Sequence, residues 1–448
     1  MAPRVNAIVI GAGLAGLRCA GDLAAKGKSV LVVEAQGRVG GRLMRGELCG
    51  RIIDHGAQWI GPHHARLFAE ARRFGHETVL QYAEGQSILS LGGRRTEAKG
   101  EIPKLPMLAL IELWMLHRRW NREMKTLPAT APWTAVKARE WDSQTLESWI
   151  KKNLSTKASR GFARLVPQLA YGADASEVSY LWMLDMLRAA GGLEQLTNVK
   201  GGTRDAVFKG GAHAVAQNMA DALGDRIVLS APARAIVQDE RGVTVTTDKD
   251  AFDADHAVVA VPPALCSRID FGGRLSAQRE ALSQRLPHGA VIKVHVAYKE
   301  PFWRRAGYSG HAASTVLPLT LVMEDAQSEG AALLIGFIQG AQALALSQMG
   351  ADEGRGRIVD CLVDLFGPQA NEHIGYARKD WLADEWSRGG AGFMGPGVVT
   401  GYGAALRASC GRIHWASSET ATQWAGYMEG ALQSGERAAE DVTARLSP

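Results

Sequence analysis

The sequence predicts an α/β protein in which a Rossmann-like domain is joined to an α+β domain built from a sheet and helices. The first observation is an apolar strand, a glycine-rich turn and an apolar helix within residues 7–25, followed by a second strand that ends at Glu34. This order is the start of a βαβ unit. The second observation is that helical and strand-like segments alternate along the rest of the 448 residues, which predicts two domains that are discontinuous in sequence.

The composition places the chain among globular proteins. Hydrophobic residues make up 46% and charged residues 22%, so enough apolar surface is present to offset chain entropy, and a largely disordered chain is excluded. The 51 basic and 46 acidic residues leave a net charge of +5 without a long basic run, which argues against nucleic-acid binding. The apolar stretch Leu105–Leu116 is too short to cross a bilayer and contains Glu112, so no membrane association is predicted.

The cysteines indicate a reducing compartment. All five are scattered and no two form a CxxC pair, so neither a disulfide framework nor a zinc site is predicted. His63 and His64 lack a third ligand candidate nearby and are interpreted as non-metal residues. We therefore expect a cytoplasmic protein without a bound metal.

The predicted elements follow the spacing of apolar residues. Short apolar or alternating runs bounded by glycine or polar residues predict strands, and apolar residues that recur every three or four positions predict helices. The predicted strands are Ala7–Ile10, Ser29–Val33, Arg226–Leu229, Ala235–Val237, Val243–Thr246, His256–Val261, Val291–Tyr298 and Ala331–Ile338. The predicted helices are Leu14–Ala25, Pro106–Lys125, Trp149–Val166, Ser179–Ala190 and Tyr427–Arg445.

The turn between the first strand and helix has the GxGxxG pattern of dinucleotide-binding proteins. Gly11 permits the tight turn, Gly13 lets a pyrophosphate approach the backbone, and Gly16 lets the helix pack against the strand. Leu14 and Ala15 begin the helix, whose free N–H groups and positive dipole end attract phosphate. The pattern in this position therefore predicts a dinucleotide site.

The residues after the second predicted strand extend this site. Glu34 lies 23 positions after Gly11, where a carboxylate binds ribose hydroxyls and disfavours the 2′-phosphate of NADP. The run Arg38-Val39-Gly40-Gly41-Arg42 follows. Its two arginines suit a second phosphate because a guanidinium group binds phosphate through two parallel hydrogen bonds. This pattern favours FAD over NAD.

Further motifs make the sequence resemble the FAD-dependent amine oxidases, the monoamine oxidase group. The matching segments run over nearly the whole chain in the family's order: Glu34–Ala35, Arg38–Arg42, Asp54–Pro62, Glu177–Trp182, Phe208–Gly211, Leu223–Arg226, Val291–Lys293, Tyr298–Arg304, Ser418–Thr422 and Gly426–Ala431. The resemblance implies an FAD-binding domain formed by residues 1–80, 200–288 and 395–448. It implies a substrate-binding domain formed by residues 81–199 and 289–394.

The resemblance also implies the reaction: a small, fairly apolar primary or secondary amine is oxidised to an imine, which hydrolyses to an aldehyde or ketone. Oxygen would then reoxidise FAD and give hydrogen peroxide. The residues implied to contact FAD are Gly11, Gly13, Leu14, Ala15, Gly16, Glu34, Ala35, Arg38, Gly41, Arg42, Gln58, Trp59, Ala233, Trp381, Ser418, Glu419, Gly426, Tyr427 and Met428. Gln36 and Ser417 stand where the family has arginine and glycine, departures that leave FAD binding intact.

Two residues are implied to act in catalysis. Lys293 would hydrogen-bond through a water to N5 of the flavin, although the alternation of its strand also fits an outward-facing lysine. A cation there would favour the electron-rich form of the flavin. Tyr427 would form one wall of an aromatic cage that guides the amine, since an aromatic face is apolar and attracts nitrogen.

The second wall of the cage is the main departure from the family. The segment Arg388–Phe393 contains no tyrosine, and Phe393 is the candidate replacement. The segment also lacks the cysteine through which the mitochondrial enzymes bind FAD covalently, so we expect non-covalent FAD. Val166 and Leu169 map onto the cavity lining, although both also fit a plain helix core.

Arg204 and Asp205 leave the substrate open. Arg204 could bind a substrate carboxylate and Asp205 a distal cation, or the two could pair with each other on the surface. An L-amino-acid oxidase is therefore an alternative, as is an oxidative desaturase or cyclase. A binding protein stabilised by FAD is a third, although it would need neither Lys293 nor Tyr427. The assembly state is open, with a homodimer among the alternatives.

Overall fold

The computed structural model describes residues 4–99, 104–327 and 330–446. The strands are β1 Val5–Ile10, β2 Val30–Val33, β3 Arg45–Leu48, β4 Arg51–Asp54, β5 Trp59–Ile60, β6 Thr78–Leu80, β7 Gln86–Leu91, β8 Arg94–Lys99, β9 Ala206–Phe208, β10 Ile227–Val228, β11 Ala233–Gln238, β12 Val243–Thr247, β13 Ala251–Val259, β14 Val291–Tyr298, β15 Tyr308–Ser314, β16 Leu321–Glu324, β17 Ala332–Gln339, β18 Gly375–Asp380 and β19 Ile413–Trp415. The helices are α1 Leu14–Ala25, α2 Ala65–Arg73, α3 Met107–Met124, α4 Ala138–Asp142, α5 Leu146–Asn153, α6 Lys157–Tyr171, α7 Tyr180–Ala189, α8 Leu193–Thr197, α9 His213–Asp221, α10 Ala277–Arg285, α11 Phe302–Arg305, α12 Ala341–Ser347, α13 Ala351–Phe366, α14 Val398–Tyr402 and α15 Met428–Leu446.

The first sheet has a parallel centre in the order β10-β2-β1-β13, with β19 parallel to the end of β13. Strands β12 and β11 add an antiparallel extension along the first half of β13. Side chains on β1 alternate, so that Ala7 and Val9 pack against the helices while Ile8 and Ile10 enter the core on the other face. The carboxyl ends of the parallel strands meet at one edge, which is where open α/β sheets bind ligands.

The first and last helices cross closely on this sheet. A Cβ atom added to Gly435 of α15 would lie 2.4 Å from the carbonyl oxygen of Ala15 in α1. Any side chain at Gly435 would therefore push the two helices apart. The final helix therefore packs directly against the helix that follows the glycine-rich turn.

The second sheet has the order β18-β14-β17-β16-β15-β7-β8. Strand β14 lies antiparallel to both β17 and β18, and Lys293 is opposite Phe337 on one side and Lys379 on the other. Helices α3 to α8 all contribute side chains to a separate aromatic-rich core. Across the described ranges, no helix combines the length and apolar character that crossing a membrane requires.

The structure corrects the prediction of a single helix at Trp149–Val166. Helix α5 ends at Asn153 and α6 begins at Lys157. Between them, the Thr156 hydroxyl caps α6 by accepting from the Ser159 amide, and Glu112 of α3 accepts hydrogen bonds from the amides of Ser155 and Thr156 at 2.8 and 3.0 Å. Because a distant helix stabilises the break, periodicity along the segment does not reveal it.

Acid is expected to destabilise the fold through a buried histidine pair. His414 Nε2 lies 3.2 Å from His256 Nδ1 between β19 and β13. Burial lowers the pKa of His414 from 6.5 to about 3, so His414 is neutral when folded and takes up a proton on unfolding. Its contribution to stability is complete above about pH 6.5 and is lost as the pH falls toward 3, by roughly 2 kcal/mol at about pH 5.

Urea unfolding at a series of pH values measures this effect. The variant His414→Gln removes the titrating ring, so its free energy of unfolding should fall less than that of the wild type between about pH 7 and about pH 5. Parallel pH dependences of the two proteins would show that His414 does not carry the effect.

Candidate functional site

An elongated cavity joins the two sheets. Its empty volume is about 2150 Å³, including the parts open to solvent. Ile10, Val33 and Ala260 line one end, at the carboxyl edge of the first sheet, and Lys293 and Phe337 line the part formed by the second sheet. The cavity therefore begins where a dinucleotide is expected and ends between the sheets.

The three glycines of the turn have different surroundings. A Cβ atom on Gly16 would lie 1.9 Å from the Gly11 carbonyl oxygen, and a Cβ atom on Gly11, whose φ is +106°, would lie 3.0 Å from the Ala260 carbonyl oxygen. Gly16 therefore brings helix and strand together and does not line the cavity. In contrast, a Cβ atom on Gly13 would meet nothing within 4 Å, although Gly13 does line the cavity. The space beside Gly13, at the N-terminus of α1, fits a pyrophosphate.

Glu34 is held rigidly beside this turn. Its two carboxylate oxygens accept hydrogen bonds from the amides of Ala12 at 2.6 Å and Gln36 at 2.9 Å. Burial raises the pKa of Glu34, while these hydrogen bonds oppose the rise. The carboxylate also lines the cavity beside Ala35 and Ala233, so it can accept from ribose hydroxyls in a fixed orientation.

Arg42 lines the cavity, and hydrogen bonds to three residues hold its side chain in place. Its guanidinium group donates to Glu419 Oε1 at 2.7 Å, to the Gly390 carbonyl at 2.7 Å and to the Ser418 hydroxyl at 3.0 Å. Burial opposes ionisation of Glu419, yet the charge of Arg42 holds the pKa of that carboxyl well below its usual value. Glu419 does not line the cavity, so its predicted contact with the cofactor is corrected: Glu419 positions Arg42.

Arg38 also differs from its prediction. Its guanidinium group donates to the carbonyls of Gly41 and Leu43, both at 2.9 Å, and Arg38 does not line the cavity. It braces the glycine loop that carries Arg42. Which of two neighbouring arginines faces the ligand depends on the turn of the loop, and residue type alone does not determine it.

Lys293 points inward and is fully buried. Its ammonium group donates to the carbonyls of Asp54 at 2.6 Å and Gly56 at 2.8 Å, and to the side-chain oxygen of Gln58. Burial lowers the pKa of Lys293 to about 8, and the charge of Asp54 opposes this shift. The outward-facing alternative is therefore excluded. The lysine holds the loop from Asp54 to Trp59 against the cavity, with its charge 5.3 Å from the centre of the Trp59 ring.

Tyr427 lies at the start of α15 and lines the cavity. Its ring packs edge-on against Trp424 at 5.6 Å. Burial raises the pKa of Tyr427, and the charge of Arg204 and a hydrogen bond with Thr203 oppose the rise. Trp381, whose indole donates to the His55 carbonyl at 2.9 Å, lines the same cavity. Tyr427 and Trp381 therefore give the cavity two aromatic walls.

Phe393 does not form the second wall of a cage. It is 4% exposed and packs in the helical core, and the cavity wall here consists of Gly390 and Ala391. Val166 is also outside the main cavity, although it lines a small adjoining pocket with Leu169 and Tyr427. The expectation for Phe393 is corrected, because the local chain path brings Ala391 and not Phe393 to the cavity. The role of Val166 in substrate binding stays a prediction.

The structure rejects the surface pair of Arg204 and Asp205. Arg204 lines the cavity and donates to the Leu196 carbonyl at 2.8 Å. Asp205 accepts from the Gly201 amide at 2.6 Å and does not line the cavity, so its suggested contact with a distal cation is corrected. Arg204 thus places a positive charge inside the site.

The cavity brings together most of the predicted site residues: Gly11, Gly13, Leu14, Ala15, Glu34, Ala35, Gly41, Arg42, Gln58, Trp59, Leu169, Arg204, Ala233, Lys293, Trp381, Ser418, Gly426, Tyr427 and Met428. Tyr171, Leu321, Phe337 and Gln339 were missed. Phe337 and Gln339 lie opposite Lys293 and Val291 across the β14–β17 pair. Correct pairing of these two strands would have identified them.

These residues fit FAD. The space beside Gly13, the carboxylate of Glu34 and the fixed guanidinium of Arg42 suit the adenosine diphosphate half, and the enclosed aromatic region suits the flavin. Among the described residues, no group of three or more His, Cys, Asp or Glu side chains is placed to bind a metal ion.

Comparison with known proteins also indicates a flavin-binding protein. The family described as flavin containing amine oxidoreductase matches residues 14–443. AofH of Mycobacterium tuberculosis, provisionally named a flavin-containing monoamine oxidase, is 36% identical over 444 residues, 99% of this chain and 97% of its own length. Cyclohexylamine oxidase from Brevibacterium oxydans is 32% identical with a TM-score of 0.94, covering 99% of this chain and 100% of its own. Wild-type putrescine oxidase bound to putrescine is 30% identical with a TM-score of 0.94 and the same coverages.

Proposed function

This chain belongs to the flavin-containing amine oxidoreductases and oxidises amines with FAD, and on this premise we propose that its substrate is a small, largely apolar primary or secondary amine, with O2 as the electron acceptor. The observation that carries the proposal is the position of Lys293 and Tyr427, which line one cavity with the dinucleotide turn. When bound, FAD accepts the hydride equivalent from the carbon beside the amine nitrogen. The resulting imine hydrolyses to an aldehyde or ketone.

The chain's own residues hold and orient the reactants. The N-terminus of α1 and Arg42 bind the phosphates, and Glu34 binds the ribose. Tyr427 orients the amine, and Lys293 keeps a positive charge where negative charge develops. We propose that FAD is held without a covalent bond, because none of the five cysteines lines the cavity.

The charges of the cavity select a neutral amine. Its lining contains five cationic side chains but a single acidic one, Glu34, which is occupied at the nucleotide end. A protonated amine would meet repulsion from Lys293 and Arg204, so the neutral form, which has the lone pair that assists C–H cleavage, enters more readily. A diamine would also find no carboxylate for its second ammonium group. Putrescine is therefore not the substrate expected for this chain.

The cysteines support a reducing location. All five thiols are free, and Cys19, Cys266 and Cys361 are buried. Burial raises the pKa of Cys361 to about 11, so it stays a thiol and not a reactive thiolate. We propose that the protein works in the cytoplasm.

Anaerobic bleaching of the flavin by a panel of amines tests this function. At least one small apolar amine should bleach the flavin, and admission of air should restore the colour and yield hydrogen peroxide in an amount equal to the flavin. Bleaching that air does not reverse would exclude O2 as the acceptor. A flavin that no amine bleaches would contradict the proposed substrate class.

A further inference from the structure

Arg204 is a charged side chain without a charged partner. It follows the loop formed by residues 200–203 and lines the cavity. Its guanidinium group donates a hydrogen bond to the Leu196 carbonyl. That carbonyl belongs to the last turn of α8, whose negative dipole end suits a cation. Yet Arg204 forms no ion pair with any carboxylate of the described residues. The other guanidinium donors have no acceptor among the described residues, and the side chain lines the cavity.

The surroundings of Arg204 disfavour a purely structural role. Burial lowers the pKa of Arg204, and the first charge that opposes this effect belongs to Tyr427, a phenol that is neutral near pH 7. His311, a buried neighbour, has its pKa lowered by burial to about 4, and the charge of Arg204 contributes to that shift. Desolvation of the guanidinium group is therefore unfavourable, and no carboxylate of the described residues compensates for it. A bound anion would offset it.

Other polar groups border the same space. Thr203 and Gln339 line the cavity with Arg204, and the side-chain oxygen of Gln339 is buried without a hydrogen-bond partner among the described residues. A ligand that presents both an acceptor to Arg204 and an N–H donor to Gln339 would satisfy both groups. An amine that also carries a carboxylate has this combination.

We propose that Arg204 binds a carboxylate of the substrate, so that the amine oxidised here is an apolar amino acid. This inference rests on the FAD-dependent amine oxidation proposed above and adds a carboxylate beside the amine of its apolar substrate. Arg204 and Tyr427 border the same side pocket with Leu169 and Leu196. The carboxylate would therefore lie close to the carbon that carries the amine, as in an α-amino acid, with the hydrocarbon side chain against the aromatic walls.

The reaction balances with the reactants already named. The C–H bond beside nitrogen breaks, and its hydrogen leaves with two electrons to FAD. The amine nitrogen loses one proton, which gives an imino acid. Water adds to the imine and ammonia leaves, which gives a 2-oxo acid. O2 then takes two electrons and two protons and becomes hydrogen peroxide.

Paired substrates test the inference. Phenylalanine and phenethylamine differ by the carboxylate alone, as do leucine and 3-methylbutylamine. In the wild type, each amino acid should have the higher kcat/KM. Arg204→Gln should lower the ratio of kcat/KM for amino acid to amine by about 10²-fold, as expected for loss of hydrogen bonds between two charged groups, and Arg204→Lys should restore part of it. Lys209→Gln removes a cation from the surface of the same segment and should leave the ratio unchanged.

Binding of benzoate gives a readout that does not depend on turnover. Benzoate should perturb the flavin absorbance of the wild type and of Arg204→Lys, and should do so much more weakly with Arg204→Gln, whereas neutral benzamide should not distinguish them. If the amines are preferred and Arg204→Gln changes neither ratio nor benzoate binding, the inference is overturned while amine oxidation stands. If neither class of substrate bleaches the wild-type flavin, the proposed function fails and this inference fails with it.

Discussion

Lys293→Met is expected to slow the reoxidation of the flavin by O2 by about 10²- to 10³-fold, the range typical for loss of one positioned group that stabilises developing charge. Lys293 is 1% exposed and its ammonium group is held by the carbonyls of Asp54 and Gly56. Electron transfer to O2 builds negative charge, which a nearby cation stabilises strongly in a site that excludes water. Methionine preserves the length of the side chain but not its charge.

The pH dependence gives a second signature of the same lysine. Burial lowers the pKa of Lys293 to about 8, so the wild type should lose reoxidation rate as the pH rises through that value, whereas Lys293→Met should show no such step. Stopped-flow mixing of chemically reduced enzyme with O2 measures both quantities without any amine present. Lys299→Met, at an exposed position one residue beyond β14, is the control and should match the wild type. A variant with full flavin content and an unchanged rate would remove Lys293 from the chemistry.

Gly13→Val is expected to fold and yet lose FAD, with affinity lower by about 10²-fold or more, since each charge-assisted hydrogen bond lost to the phosphates is worth about 1.5–3 kcal/mol. Gly13 has φ −75°, which any residue adopts, and a Cβ atom there meets no protein atom within 4 Å. The added Cβ atom therefore lies in the free space that Gly13 lines, which we assign to the ligand.

Gly16→Ala is the matched comparison. Its Cβ would lie 1.9 Å from the Gly11 carbonyl, so the helix must move and stability should fall by about 1–3 kcal/mol or more. Acid precipitation of the wild type should first release all its flavin, as non-covalent binding requires. Titration of each refolded apoprotein with FAD, together with thermal unfolding of each apoprotein, then separates the effects. Equal loss of stability in both variants would contradict the assignment of the space beside Gly13 to the cofactor.

Local signals were sufficient to predict the dinucleotide turn. Helix α1 and strand β14 have the predicted bounds because glycine punctuation and apolar alternation act over a few residues. The inward position of Lys293 was predicted from the resemblance, since alternation alone allowed either face. In each case the decisive residues are neighbours in sequence.

Contacts between distant residues were not predictable in this way. Arg42 and Glu419 are 377 positions apart, and only the folded chain shows that one faces the cavity while the other supports it. Strand β15 pairs in parallel with β7, more than two hundred positions earlier, and its short sequence carries no signal of that partner. Phe393 was placed in the site by analogy, whereas the register of its segment directs it into the helical core.

The close crossing of α15 and α1 has a consequence for the order in which the protein becomes functional. The residues Ser418–Met428 and helix α15 complete the cavity around the glycine-rich turn, which lies far earlier in the sequence. The nucleotide pocket is therefore complete only after these two distant segments have packed together, which makes FAD binding a late event in folding. A variant in which α15 is deleted should remain colourless.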